Sequence, residues 1–242
     1  MKFPKMNLHI HSIYSDGKNT IKQIIDKSLK LGMGYIAITD HFTDSWKASK
    51  IPSLKDGEKI TDYLEEISNF QMNLKEHNEE LILFKGIEID LSSSEKYIKN
   101  LIDVEKFNII LFEYLQDLES IAFLKNLIEY WKMSIKNLKK FPLFGLAHFD
   151  PFYFIHGGLD ILIPFLKNYH IYFEFNSSYP QYYSKRNLFF FEQLREYCIP
   201  VAIGCDSHHI SSLNEIDEPL EMIRYYKLEN NYKKLISELE QI

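Results

Sequence analysis

The chain has 242 residues, of which 45% are apolar and 26% are charged, and this composition is typical of a folded globular protein rather than a disordered one. Its 34 acidic and 28 basic residues give a formal net charge of −6, and the dispersed basic residues argue against binding to long nucleic acid. The sequence has no signal-peptide pattern at its start and no apolar window of the roughly 18 residues that a membrane span needs. We therefore predict a soluble, cytoplasmic protein with no membrane partner.

Short apolar runs typical of β-strands recur along the chain, and helical patterns separate most of them. The runs lie at residues 7–12, 35–40, 81–90, 107–114, 143–149, 171–176 and 200–206. Apolar stripes with helical spacing follow the first, second and fourth runs, and the third of these stripes extends to Leu138. This alternation predicts a parallel sheet, either closed into a barrel or doubly wound.

The sequence contains no internal repeat, low-complexity tract or linker rich in Pro, Gly or Ser, so residues 1–242 are predicted to form a single domain ending in helices over 212–242. Residues 42–57 are the one long polar connection, and connections of this length in compact domains are often functional. Its lysines Lys47, Lys50 and Lys55 make this segment a candidate lid over a site.

Nearly every predicted strand ends in side chains that can bind a metal. His9 and His11 are two positions apart in the first run, so both imidazoles point to the same face of a strand. The later runs end in further candidates: Asp40, His41, Glu88, Asp90, Glu113, His148, Asp150, Glu174, Asn176, Asp206, His208 and His209. Because the carboxyl ends of parallel strands converge, we expect these groups to form one site. Mixed histidine and carboxylate ligands favour two or three ions of zinc, manganese or iron.

Five motifs resemble, in order and spacing, the signature of the PHP (polymerase and histidinol phosphatase) superfamily. They are HIHSIYSDG (9–17), AITDHF (37–42), GIEID (86–90), LAHFD (146–150) and GCDSHH (204–209), so the resemblance covers residues 7–209. It implies a distorted (β/α)7 barrel that carries a cluster of two or three metal ions and hydrolyses phosphoesters.

The resemblance also implies a role for each matching residue. One metal would be held by His9, His11, Glu88 and Asp206. Glu88 would bridge to a second metal that His148 also binds, and a third would be held by Asp16, His41 and His208. Asp40 would orient a ligand histidine, as carboxylates beside metal-bound imidazoles commonly do. Asp16, His208 or a metal-bound water would protonate the leaving group.

The chain departs from the family pattern after the fourth strand, where the family commonly places a histidine ligand. The aligned residue is Leu115 in the stretch FNIILFEYL. Two outcomes are open: Glu113, which lies on the same strand face as residue 115, replaces the ligand, or the second metal is bound weakly or lost. The parity of the strand favours Glu113 as a ligand.

We predict that the protein hydrolyses the phosphomonoester of a small phosphorylated substrate, similar to histidinol phosphate. Of the three arginines, Arg186 lies in the loop after the sixth run, and we expect it to bind the substrate phosphate. The alternatives are a nuclease or phosphodiesterase that acts on short nucleotides, and a non-catalytic metal-binding PHP module. The oligomeric state is not predicted.

Overall fold

A computed structural model describes residues 3–135 and 141–242, so the predicted stripe residue Leu138 lies outside the described residues. The strands are β1 (Met6–Ile10), β2 (Tyr35–Ile38), β3 (His41–Phe42), β4 (Ile82–Asp90), β5 (Ile109–Glu113), β6 (Leu143–Leu146), β7 (Ile171–Asn176) and β8 (Val201–Gly204). The helices are α1 (Ile21–Leu31), α2 (Gly57–Glu76), α3 (Glu95–Leu101), α4 (Leu118–Ser134), α5 (Leu159–Asn168), α6 (Leu188–Glu196), α7 (Asp217–Tyr225) and α8 (Glu229–Leu239).

The strands form a parallel sheet in the order β1-β2-β4-β5-β6-β7-β8, and the two-residue strand β3 pairs with the end of β4. The two edges of this sheet come together, because Ser207 N donates to His9 O at 3.1 Å and His11 N donates to Ser207 O at 3.0 Å. Seven main strands in sequential order, nearly closed, confirm the predicted distorted (β/α)7 barrel and rule out the doubly wound alternative.

The strands are buried along almost their whole length, because helices cover one face and the other face lines the barrel interior. Helix α1 shows how the surrounding helices are defined. Thr20 and Gln23 form a capping box at its start, and Gly32 ends it in the left-handed conformation with φ of 63°. Helices α7 and α8 lie within residues 212–242, and α8 buries Tyr232, Leu235 and Leu239.

The polar segment 42–57 is anchored to the barrel near its start. The Thr43 hydroxyl donates to Asp90 Oδ2 at 2.8 Å, and the Ser45 hydroxyl donates to the same oxygen. A short 3₁₀ helix, Trp46–Ser49, follows directly, and Lys50 and Lys55 are exposed to solvent. In the part of the chain that the structure describes, no helix is both long and apolar enough to cross a membrane.

Candidate metal centre

Side chains from the carboxyl ends of the barrel strands and the segments that follow them meet in one cluster. All nine residues predicted to bind metal belong to it: His9, His11, Asp16, His41, Glu88, Glu113, His148, Asp206 and His208. The strands themselves explain this convergence, since each parallel strand ends at the same rim of the barrel.

His9 and His11 begin the cluster from the end of β1. Their Nε2 atoms lie 3.0 Å apart, and His11 Nε2 lies 2.9 Å from Asp206 Oδ1. His9 Nε2 also lies 3.4 Å from both Asp206 Oδ1 and Glu88 Oε1. Ligand atoms of His9, His11 and Asp206 lie close enough together to hold one ion. The Nε2 atoms of the two imidazoles therefore face each other and the carboxylates of Asp206 and Glu88. Ligands arranged around one cation adopt the same arrangement.

A second group of ligand atoms surrounds Asp16, in the loop after β1. Asp16 Oδ1 lies 3.1 Å from His208 Nε2, 3.6 Å from His41 Nε2 and 3.9 Å from His11 Nδ1. Burial favours the neutral carboxyl, but the hydrogen bond from His208 and the nearby imidazoles lower the pKa of Asp16 to about 2. Ligand atoms of these four residues again lie close enough together for one ion.

The loop that carries Asp16 closes too tightly for a side chain at Gly17. Gly17 N donates to Ser12 O at 3.0 Å, and a Cβ atom on Gly17 would lie 2.3 Å from His11 O. Asp40 holds the same loop, because it accepts hydrogen bonds from Ser12 N at 2.8 Å, Ser12 Oγ at 2.6 Å and Ser15 N at 3.0 Å. Asp40 thereby holds the loop that carries Asp16, and the Ser15 hydroxyl, which also donates to Asp40, lies 3.4 Å from His11 Nδ1. Among the described residues, Asp40 forms no ion pair with a histidine ring, so its effect on His11 is indirect.

Glu88, at the centre of the cluster, provides the test of whether a metal fits. It is fully buried, with His41 Nδ1 at 2.6 Å and His148 Nε2 at 3.2 Å from its two oxygens. Within the described residues, neither oxygen accepts a hydrogen bond of normal geometry. A buried carboxylate without hydrogen bonds is costly unless cations surround it. Mixed nitrogen and oxygen ligands around such a group fit zinc, manganese or iron.

Glu174 in β7 is one of the strand-end candidates, but it is not assigned to any of the predicted metals. Its Oε1 lies 2.9 Å from His9 Nδ1, while its Oε2 accepts from His148 N at 2.7 Å and from Asn176 Nδ2 at 2.9 Å. Burial opposes a charge on His9, but Glu174, followed by the cluster carboxylates, raises the pKa of that imidazole well above its usual value. The signal in the sequence was a carboxylate in the middle of an otherwise apolar strand.

Glu113 has a partner that the strand pattern did not predict. Both of its carboxylate oxygens lie 2.7 Å from Lys47 Nζ, whereas its nearest imidazole nitrogens, on His41 and His148, lie at 3.9 and 4.0 Å. Burial and the nearby Glu88 carboxylate raise the pKa of Glu113, and the Lys47 ammonium partly offsets this. Leu115 is buried and apolar, with 2% of its surface exposed.

The family model that describes the PHP domain matches residues 7–141, more than half of the chain. The chain belongs to the PHP domain family. This confirms the resemblance seen in the sequence motifs. Motifs beyond the matched range, LAHFD and GCDSHH, supply His148, Asp206 and His208 to the same cluster. No curated protein matches the sequence.

Solved structures share the barrel of this PHP domain at low sequence identity. Histidinol phosphate phosphatase (HisK) from Lactococcus lactis subsp. lactis Il1403, complexed with zinc, L-histidinol and phosphate, matches with a TM-score of 0.60 and 14% identity, over 93% of this chain and 94% of that one. The HisK of Listeria monocytogenes, described as a putative histidinol phosphatase, matches with a TM-score of 0.60 and 15% identity, over 86% and 97%.

A third match belongs to the structures of YwqE from Bacillus subtilis and CpsB from Streptococcus pneumoniae, described as unique metal-dependent tyrosine phosphatases. Its TM-score is 0.55 and its identity 14%, over 91% of this chain and 86% of that one. At this level of identity the three likenesses establish the shared fold.

Three residues of this PHP domain adopt the left-handed backbone conformation just after a strand. They are Tyr114 after β5, His148 after β6 and Asp206 after β8, with φ values of 65°, 35° and 47°. Residues other than glycine rarely adopt positive φ, and such strain concentrates at functional sites. The turns that place His148 and Asp206 in the cluster are therefore kept despite the conformational free energy that positive φ costs at each residue.

The predicted phosphate-binding residue Arg186 lies away from these contacts. Its guanidinium carbon lies 5.7 Å from the centre of the Phe152 ring, and it lines an open cavity of about 570 Å³ with Phe152, His156 and Phe189. Among the described residues it forms no ion pair with the cluster. The exposed ring of Tyr179 contacts the cluster, since its centre lies 4.7 Å from that of the His148 ring.

Proposed function

We propose that this PHP domain is a metal-dependent phosphoesterase that removes the terminal phosphate from a small molecule. The observation that carries this proposal is the buried Glu88 carboxylate, which is ringed by imidazole nitrogens and lacks well-formed hydrogen bonds among the described residues. Such a group suits a bridge between metal ions. When bound, the ions would supply an acidified water as nucleophile and positive charge for the phosphoryl oxygens.

We assign the ions to two groups of residues. His9, His11, Asp206 and Glu88 would hold one, and Asp16, His41 and His208, with His11 nearby, would hold another. Their carboxylates and imidazoles come from strand ends or tight turns, so the ligand geometry is already set before an ion binds. Glu174 supports the first group by fixing the orientation of the His9 ring and the position of His148.

The proton for the leaving oxygen is proposed to come from the Asp16–His208 pair. These are the most exposed side chains of the cluster, at 23% and 35%, so a substrate can reach them from solvent. Asp16, as a carboxylate, accepts from His208, which makes His208 the donor of the pair. Because one nitrogen cannot both bind a metal and deliver a proton, His208 Nε2 would act as the donor only in a site whose second ion is held by Asp16, His41 and His11.

Two considerations support a small substrate with a terminal phosphate. The acidic chain carries its basic residues dispersed, which gives little attraction for a long polyanion. One structure that shares the fold holds zinc, L-histidinol and phosphate together. We propose that Arg186 contacts the distal part of the substrate from its cavity, where Phe152 and Phe189 offer apolar surface.

The test combines metal analysis with a substrate panel. Protein purified without chelator is analysed for metal by mass spectrometry and assayed for phosphate release from histidinol phosphate, a phosphotyrosine peptide and a nucleoside monophosphate, and for cleavage of single-stranded DNA and RNA. The matched control is Asp206→Asn, which removes a ligand charge at nearly constant volume and reveals contaminating phosphatases.

We expect metal-dependent release of phosphate from at least one monoester, lost in Asp206→Asn. Degradation of nucleic acid with little phosphate release would favour the nuclease alternative. Bound metal without hydrolysis of any substrate would favour a non-catalytic metal-binding module.

A further inference from the structure

Lys47 is a nearly buried cation at the edge of the metal-binding cluster. Its side chain is 13% exposed, and its ammonium lies 2.7 Å from both oxygens of Glu113 and 3.5 Å from His41 Nδ1. Lysine is rarely buried unless its charge is paired, because desolvating an ammonium is costly. Here the pairing is with a carboxylate whose own side chain is 2% exposed.

The backbone that carries Lys47 is built to hold it in this position. Asp90, the last residue of β4, accepts hydrogen bonds from the hydroxyls of Thr43 and Ser45. The Ser45 hydroxyl in turn accepts from Lys47 N at 3.2 Å and caps the short 3₁₀ helix that begins at Trp46. Lys47 therefore reaches the cluster from a segment that is tied to the neighbouring strand.

The space that the ammonium takes is a place where a divalent ion would otherwise fit. His41, Glu88 and Glu113 each offer a ligand atom within 4.8 Å of the others, the third such group in the cluster. Of the three groups, this one has the Lys47 ammonium against one of its carboxylates. A divalent ion bound to Glu113 beside that ammonium would be repelled at short range. Buried Leu115 adds no ligand that would compensate.

We infer that the Lys47 ammonium takes the place of a metal ion at Glu113, so that this centre binds two divalent ions and a lysine rather than three divalent ions. The inference rests on the proposed metal-dependent function and specifies the composition of the same site. The two ions occupy the groups around His9 and Asp16, and the third positive charge belongs to the protein itself. It is present at every metal concentration.

The experiment counts ions in five proteins equilibrated with excess Mn²⁺ and freed of unbound metal by gel filtration. Wild type should hold two equivalents, and so should Glu113→Gln, because Glu113 binds the lysine and no metal. Lys47→Met keeps the apolar stem but removes the charge, and it should hold three. The double variant should return to two. Lys50→Met, in the same segment but exposed, is the matched control and should equal wild type.

The outcomes separate this inference from the proposed function. Three equivalents in wild type, falling to two in Glu113→Gln, would make Glu113 a metal ligand and overturn the inference while leaving the function intact. Two equivalents in a folded Lys47→Met would also overturn it. No bound metal in wild type would instead overturn the proposed function. If Lys47→Met does not fold, anomalous scattering from wild-type crystals with manganese decides between a lysine and an ion at Glu113.

Discussion

His9 Nδ1 lies 2.9 Å from Glu174 Oε1, and this contact between two buried side chains joins strand β1 to strand β7. It sets the tautomer of His9, because the nitrogen facing Glu174 carries the proton and Nε2 is left to face Glu88 and Asp206. The other oxygen of Glu174 fixes the backbone of His148. One carboxylate outside the predicted ligand set thus orients two members of it.

We expect Glu174→Gln to weaken metal binding without removing a ligand. The amide keeps the size of the side chain but loses the charge that supports the His9 ring, and changes of this kind commonly cost about 10–100-fold in metal affinity. Titration with a fluorescent metal indicator measures the loss. Glu192→Gln, an exposed change on α6, is the control. Unchanged affinity in Glu174→Gln would show that the contact is only structural.

His41→Ala should remove roughly one metal equivalent and most of the turnover while the protein stays folded. His41 lies between Asp16 and Glu88. The loss of one ligand from a group of three or four strongly weakens the binding of the ion. Metal analysis, circular dichroism and steady-state kinetics are the measurements. His77→Ala, at an exposed helix end, should match wild type. Full metal content and activity in His41→Ala would refute its role as a ligand.

Removal of metal should lower the thermal stability of the protein. Ions that bind only the folded chain stabilise it by about 2.7 kcal/mol when their concentration is 100 times the dissociation constant. For a domain of this size, that free energy corresponds to a shift of roughly 5–10 °C in Tm. Differential scanning fluorimetry with and without chelator, followed by restoration of the metal, tests this. An unchanged Tm would indicate that the cluster carboxylates need no ion for stability.

Gly204→Ala should destabilise the fold and disturb the site together. A Cβ atom at this position in β8 would lie 1.8 Å from Glu174 Oε1 and 2.8 Å from His9 Cβ. Overpacking of this kind costs about 1–3 kcal/mol in the free energy of unfolding. Gly57→Ala is the matched control, since no atom lies within 4 Å of its added Cβ. Urea denaturation distinguishes them, and equal stability of the two variants would contradict the close approach.

Arg186→Ala should mainly raise KM for a small phosphomonoester, if the guanidinium binds ground state and transition state alike. The residue lies outside the cluster, so kcat and metal content should change little. Arg224→Ala, an exposed change on α7, serves as control. A fall in kcat at constant KM would place Arg186 in the transition-state contacts instead, and no change in either would remove it from the substrate site.

The alternation of strands and helices followed from local patterns, and the membership of the candidate cluster followed from those patterns together with the resemblance to the PHP superfamily. Alternation of apolar runs with helical stripes predicted the parallel sheet, because strands buried on both faces are nearly continuous in apolar residues. The placement of histidines and carboxylates at strand ends predicted that they would meet, because parallel strands end at one rim. Closure into a barrel was implied by the family motifs and became visible in the pairing of Ile10 with Ser207.

The partners of individual side chains were decided by tertiary structure. Strand parity with Leu115 favoured Glu113 as a metal ligand, but β5 ends at Glu113, and Tyr114 turns the chain with a φ of 65°. Lys47 contacts Glu113 from 66 residues away in the chain. Glu174 lies 165 residues from His9, and Asp40 contacts a loop rather than the adjacent imidazole. Periodicity shows which way a side chain points, but which charge it faces depends on how distant segments pack. In this protein that packing brings a lysine to one carboxylate of the cluster and imidazoles to the others.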